Sequence, residues 1–365
     1  MAKSAVLRTL FMGALFSLLV GCDAVDSGPN KLRDYLQRLV RGLDVEVPAA
    51  PLVAPPRIVD AALRPLPVAM ANLSVLDFLA LSGCELQVNL GRRNSSLGRH
   101  ASASQRLLLD LEFLDLAPGC VEHLSNSDNP ELASEIQRIA AERRRLLPLR
   151  IYNAVLAGYE FQSFWRLPPN LDNYPTQTSS EVVDALAWLQ SAVKGWLNGN
   201  TSGSFEQNQA LEGHLATLRA GDGGALLLAA AEASRSLQQA TGALDASQRL
   251  RNLCPGQQKS RRAEIVETVT VKFFAGEVQP WLAALNRRHH GLITPLLELE
   301  VHLSAVLPSE YLTWQRKRDS LLATLHLKPK EHVTAIKSAL ADCPGVPWSG
   351  SESSAASGPR DLLQS

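Results

Sequence analysis

Arg92, Arg93 and Arg99 lie close together beside Gly91 and Gly98, within the polar stretch from Asn89 to His100. Guanidiniums next to glycines with open backbone amides can face an anion, such as a lipid phosphate or a cell-wall carboxylate. The glycine spacing is not that of a nucleotide-binding loop, and no Gly-Lys-Ser/Thr follows. The plainer reading is a solvated loop leading into a helix, its arginines paired with nearby Asp or Glu. A true anion site here would need only to bind.

Glu298 and His302 are one helical turn apart and could share a face toward one metal, with His289 and His290 earlier on the same predicted helix. Metal sites want three protein ligands, and no H-E-x-x-H spacing is present. The alternative is that Leu296, Leu299 and Leu303 form the buried face and leave Glu298 and His302 at its margin. No G-x-S-x-G elbow marks a serine nucleophile. Trp188 and Trp196 fall near one face with Leu189 and Val193, which suits core packing. Arg143, Arg144 and Arg145 read as the end of a helix, complementing its dipole, with anionic headgroups as the sharper alternative.

The elements that position these residues are helices. Lys31 to Leu43 has apolar residues at three-four spacing. Prolines at 48, 51, 55, 56, 65 and 67 then rule out a regular element and imply an extended linker. Ser74 with Asp77 reads as a capping box. A helix from Ser102 to Leu116 is predicted to stop at Pro118-Gly119-Cys120, and Asp128-Asn129-Pro130 starts another. Thr178 with Glu181 and Ser204 with Gln207 read as further starts, and a long Ala/Leu-rich helix runs to Cys254. Residues Ile265 to Phe274 are β-branched enough for a strand, but their charges favour helix. Helices over Val278 to Leu303, Ser309 to Leu325 and Lys330 to Ala341 follow. The expectation is an all-α fold, an irregular bundle of roughly eight to eleven helices. Its units are a first helix (31–45), a Pro-rich linker (46–70), one helical subdomain (71–166), an irregular connection (167–178), a second subdomain (179–345) and a disordered tail (346–365).

Cys22 carries different chemistry. Lys3 and Arg8 precede an uncharged apolar run, Thr9 to Leu18, which closes on Leu19-Val20-Gly21-Cys22. The run is too short to span a bilayer but suits an export signal over residues 1–21. Its ending is similar to the bacterial lipobox, which implies a diacylglyceryl group on the Cys22 thiol, cleavage before it and N-acylation, for instance by palmitate. Residues 22–30 would then form a lipidated tether to the bilayer. Asp23 resembles a retention signal, favouring the periplasmic face of the inner membrane over the outer membrane.

Four cysteines remain, Cys84, Cys120, Cys254 and Cys343, and an even number in an exported chain reads as two disulfides. Of three connectivities, the favoured one joins sequence neighbours, Cys84 with Cys120 and Cys254 with Cys343. Without a C-x-x-C spacing a thiol oxidoreductase is disfavoured. Lysine plus arginine equals aspartate plus glutamate at 36 each, and a neutral balance argues against nucleic-acid binding.

The Ser82-Gly83-Cys84-Glu85-Leu86 turn, the segment Asn94-Ser95-Ser96-Leu97-Gly98-Arg99, the Ser104-Gln105-Arg106-Leu107 helix start and the stretch Val278-Gln279-Pro280-Trp281-Leu282 together resemble one bacterial lipoprotein family. It is an uncharacterised group, a domain of unknown function numbered three-zero-eight-zero, and the resemblance spans about Lys31 to Cys343. It implies placement and fold, and brings no functional residues or cofactor. The sequence therefore favours a non-catalytic lipoprotein that binds or scaffolds an envelope protein, lipid or glycan. The alternative is an envelope hydrolase or metal-dependent enzyme with a site built from distant residues.

Overall fold

A computed structural model describes residues 27–47, 50–51, 53–58, 64–69, 73–127, 129–201, 205–250 and 253–345. The export signal, Cys22, Ser204 and the tail beyond 345 lie outside the described residues. All regular elements among the described residues are helices, so the all-α expectation holds. None of these helices is long and apolar enough to cross a membrane.

The chain opens with α1 (Gly28–Leu43), then α2 (Val75–Ala80), α3 (Leu86–Asn94) and α4 (Ser96–Arg99). Two long helices follow, α5 (Ala103–Ser125) and α6 (Pro130–Val155), and then short α7 (Tyr159–Phe164). The remainder is α8 (Glu181–Leu197), α9 (Phe205–Arg219), α10 (Gly223–Leu250), α11 (Arg261–Val269), α12 (Gln279–His302) and α13 (Ser309–Ala339). Between α11 and α12 the chain continues as a π-helix over Thr270–Val278. The start signals work locally. The Ser74 hydroxyl accepts from the Asp77 amide at 3.1 Å, and Ser102 and Gln105 complete a reciprocal capping box. Asn129 occupies the N-cap position of α6 without a side-chain capping bond, and Pro130 stands in its first turn.

Several boundaries differ from the sequence expectation. The stretch 89–100 is no loop, since α3 and α4 occupy it. Pro118 does not stop α5, and the predicted break before Lys330 is absent because α13 passes through Pro329. A proline inside a helix costs about 3 kcal/mol. Burying Cys120 and Leu124 after Pro118, and Ile336 and Ala339 after Pro329, offsets it, at roughly 1.5–3 kcal/mol for a fully buried Leu or Ile. The expected Thr178–Glu181 box is not formed. Thr178 donates instead to the Pro175 carbonyl, and the Ser179 hydroxyl receives the Glu181 amide.

Apolar residues gather into two cores. The larger takes α1, most of the C-terminal helices, Leu107, Leu111 and Leu114 of α5 and Leu147, Ile151 and Val155 of α6. The connection 167–178 belongs to it through Leu171 and Tyr174. The smaller core holds Leu81, Leu86 and Leu90 against Phe113 and Ala117 of α5 and Leu132, Ile136 and Ile139 of α6. The α5–α6 hairpin is thus shared, one end in each core. Cys84–Cys120 staples the smaller core, and Cys254–Cys343 ties the end of α10 to the end of α13, as expected from the sequence.

Candidate functional site

Where the two cores meet, three arginines converge on Asp110. Residues Leu107, Leu111 and Leu114 set the buried register of α5, and Asp110 falls on that register at 2% exposure. Arg93 of α3 donates Nη1 to Asp110 Oδ1 at 2.5 Å. Arg150 of α6 brings Nε to 3.0 Å from Oδ2. Arg143, two turns earlier on α6, places Nη1 3.3 Å from Oδ1. That nitrogen is buried and makes no hydrogen bond. The Arg143 guanidinium lies 3.6 Å from the centroid of the Phe113 ring, a cation–π contact. Burial and the nearby charges of Arg93 and Arg150 push Arg143 down to about 10, against the pull of Asp110. Burial lowers Arg150 as well.

Two of the arginines border a cavity of about 210 Å³ whose walls are Arg93, Asn94, Arg143 and the apolar Leu73, Phe78, Leu90, Phe113 and Ile139. A water-sized hollow of about 20 Å³ adjoins it on the Asp110 side, bounded also by Arg150, Glu142 and Val68. Part of the Pro-rich stretch is fixed nearby. Asn153 of α6 accepts from the Leu66 amide at 2.7 Å and donates to its carbonyl at 2.8 Å.

Two other polar groups lie deep in the larger core. Arg318 of α13 donates two nitrogens to Glu300 of α12 at 2.6 and 2.8 Å, and both side chains are almost fully buried. Tyr311 and Gln315 donate to the same carboxylate at 2.6 Å each. Trp165 and Trp314 flank the guanidinium, so the ion pair is hydrogen-bonded and enclosed by aromatic rings. In the second group the Tyr35 hydroxyl of α1 lies 2.6 Å from His332 Nε2, and Thr241 Oγ1 lies 3.1 Å from Nδ1. Burial pushes His332 down to about 3, so the imidazole is neutral. Phe274 of the π-helix packs edge-on against it.

The residues singled out by sequence are spread apart. Arg92 pairs with Glu112, which also accepts from Asn89 at 2.7 Å. Arg93 faces Asp110, while the exposed Arg99 offers its carbonyl to Arg106 at 2.9 Å. Gly98 is explained by close packing, because a Cβ there would strike the carbonyls of Arg92 and Arg93. Glu298 is exposed and His302 half-buried. Among the described residues no cluster of three or more His, Cys, Asp or Glu is placed to hold a metal. Arg143 to Arg145 are not a helix end, since α6 continues to Val155. Arg143 turns inward and the other two stay exposed. Trp188 and Trp196 meet edge-to-face at 6.2 Å, and His214 stacks on Trp188.

Sequence reasoning missed Asp110, Arg143 and Arg150 as a unit. The one local signal was a carboxylate at a core position of an apolar stripe, since charges are almost never fully buried unless paired.

Fold and site together define an all-α, disulfide-stapled protein with a cation-rich cleft between two cores. The chain belongs to the DUF3080 family, described as a protein of unknown function, whose model matches residues 32–347. Comparisons with curated proteins and with solved structures find no match to the chain.

Proposed function

We propose that this protein is a lipid-anchored, periplasm-facing member of its family that works by binding a component of the cell envelope rather than by catalysis. The observation that carries the reading is the charged start, short apolar run and Leu19-Val20-Gly21-Cys22 ending. Three acyl chains on one cysteine, two in the diacylglyceryl group and one on the amine, hold a body at a membrane, each buried methylene contributing about 0.8 kcal/mol. The two disulfides fit an oxidising compartment. Asp23 favours the inner membrane.

Mass spectrometry of the protein from the membrane fraction tests the anchor. The expected amino terminus is Cys22 with diacylglyceryl and N-acyl groups; a terminus elsewhere, or an unmodified Cys22, overturns it. Crosslinking in envelope extracts tests the binding role. A specific protein, lipid or glycan partner is expected, and none recovered under saturating conditions removes that half of the proposal.

A further inference from the structure

We propose that the cleft between α3, α5 and α6 binds a phosphate ester bearing an apolar substituent, with Arg143 and Arg93 on the cavity wall as its donors. This deepens the binding role proposed above by naming a ligand class.

The charge arrangement asks for an anion. Among the described residues lining the two hollows, three arginines face two carboxylates. One of those, Glu142, is shared with Arg138 at 3.4 Å, so the cleft carries excess positive charge. A buried guanidinium with an unused donor is expensive, and structural ion pairs are normally fully hydrogen-bonded. The Glu300–Arg318 group in this same chain is such a pair. The Asp110 group is not, because Arg143 Nη1 is left without a hydrogen bond. An oxyanion in the cavity supplies the missing acceptor and balances the charge. Arginine suits a phosphate because its fork of donors matches two oxygens at once.

The rest of the cavity asks for something apolar. Leu73, Phe78, Leu90, Phe113 and Ile139 form most of the remaining wall, and inorganic phosphate would leave them facing water. On α2, which supplies Phe78, the residues Val75, Leu76 and Leu79 are exposed at 76%, 77% and 59%. The apolar wall of the cavity thus continues onto an apolar surface. A lipid headgroup and a soluble phosphate ester share this chemistry, and the two sources are separable by experiment.

The test uses the chain with Cys22→Ser, so that no anchor contributes. Hexyl phosphate and inorganic phosphate are titrated calorimetrically, and sedimentation is measured with vesicles of phosphatidylglycerol or phosphatidylcholine. Hexyl phosphate should bind at least tenfold more tightly than inorganic phosphate. Arg143→Met and Arg93→Gln should each weaken it at least tenfold with helical circular dichroism intact, while Arg92→Gln, outside the cleft, should not change it. Sedimentation with phosphatidylglycerol vesicles, competed by hexyl phosphate, assigns a lipid headgroup; hexyl phosphate binding without sedimentation assigns a soluble ester, and both support the site. Three results would overturn it: no binding of hexyl phosphate, equal binding by inorganic phosphate, or undiminished binding by the folded Arg143 and Arg93 variants. Should one variant fail to fold, the other carries the comparison. Failure here leaves the anchor reading intact, since Cys22 plays no part in the measurement.

Discussion

Arg318 and Glu300 face each other across α12 and α13 with two parallel hydrogen bonds, at 0% and 1% side-chain exposure. Both charges are removed from water, so each depends on the other. Glu300→Leu leaves a buried guanidinium with only Asp319 as an acidic partner. The expected loss of unfolding free energy is about 3–5 kcal/mol. Adding Arg318→Met should cost less than the sum of the two single changes, with a coupling of about 1 kcal/mol or more. Urea denaturation of the four proteins measures it, and additive losses would mean that the pair contributes nothing as a pair.

His332 gives the protein an acid-sensitive core. Its folded pKa of about 3 lies below its ordinary value of 6.5, so the unfolded chain binds the extra proton between those limits. Stability from this group is complete above about pH 6.5 and falls as pH is lowered toward 3, by about 1.4 kcal/mol per pH unit over most of that window. His332→Gln should be less stable at pH 8, through loss of the Tyr35 and Thr241 contacts, yet show a shallower decline from pH 6.5 to 4. Thermal melts across that range check the slope, and parallel curves would exclude His332 as its source.

The two disulfides should differ in reach. Cys254–Cys343 closes a sequence separation of 89 residues, and Cys84–Cys120 one of 36. Chain-entropy reasoning gives about 4 to 5 kcal/mol for such loops, with measured values often lower. Replacing Cys254 and Cys343 by Ala should lower global stability. Replacing Cys84 and Cys120 should chiefly loosen α2 to α4, which rest on the smaller core. Amide hydrogen exchange distinguishes the two. Protection lost equally throughout the protein in both variants would contradict the division into two cores.

Arg143 should be dispensable for folding. Its burial and its two arginine neighbours oppose its charge, while its guanidinium lies over the Phe113 ring. Arg143→Met sets a thioether against that ring in place of the cation, and the expected change in stability is within about 1 kcal/mol, neutral or favourable. A Tm depressed by ten degrees would show instead that the arginine holds the two cores together.

Much of the helical plan was legible because its signals are local. Ser74 with Asp77 and Ser102 with Gln105 each satisfy amides within one turn, and Pro130 fits the first turn because its missing N–H is not needed there, so the surroundings matter little. Pairing cysteines with their sequence neighbours also succeeded. Prolines misled where tertiary burial outweighed a local defect, as at Pro118 and Pro329. The polar stretch at 89–100 misled because α3 is fixed by groups twenty residues away. Asn89 reaches the Leu109 carbonyl and Glu112, and Arg93 reaches Asp110. The cleft was illegible for the same reason, its donors coming from α3 and α6 and its carboxylate from α5. Only Asp110, out of place among leucines, left a trace.

The bond between Tyr35 and His332 joins side chains 297 positions apart. A ribosome makes α1 well before α13, so this bond must wait for the later helix. Until then Tyr35, a residue with no exposure in the finished fold, lacks its imidazole partner. Nonsense or frameshift changes ahead of Ser309 would therefore leave Tyr35 without that partner even though α10 and the π-helix, against which α1 also packs, are already made, and quality-control proteases should clear such fragments.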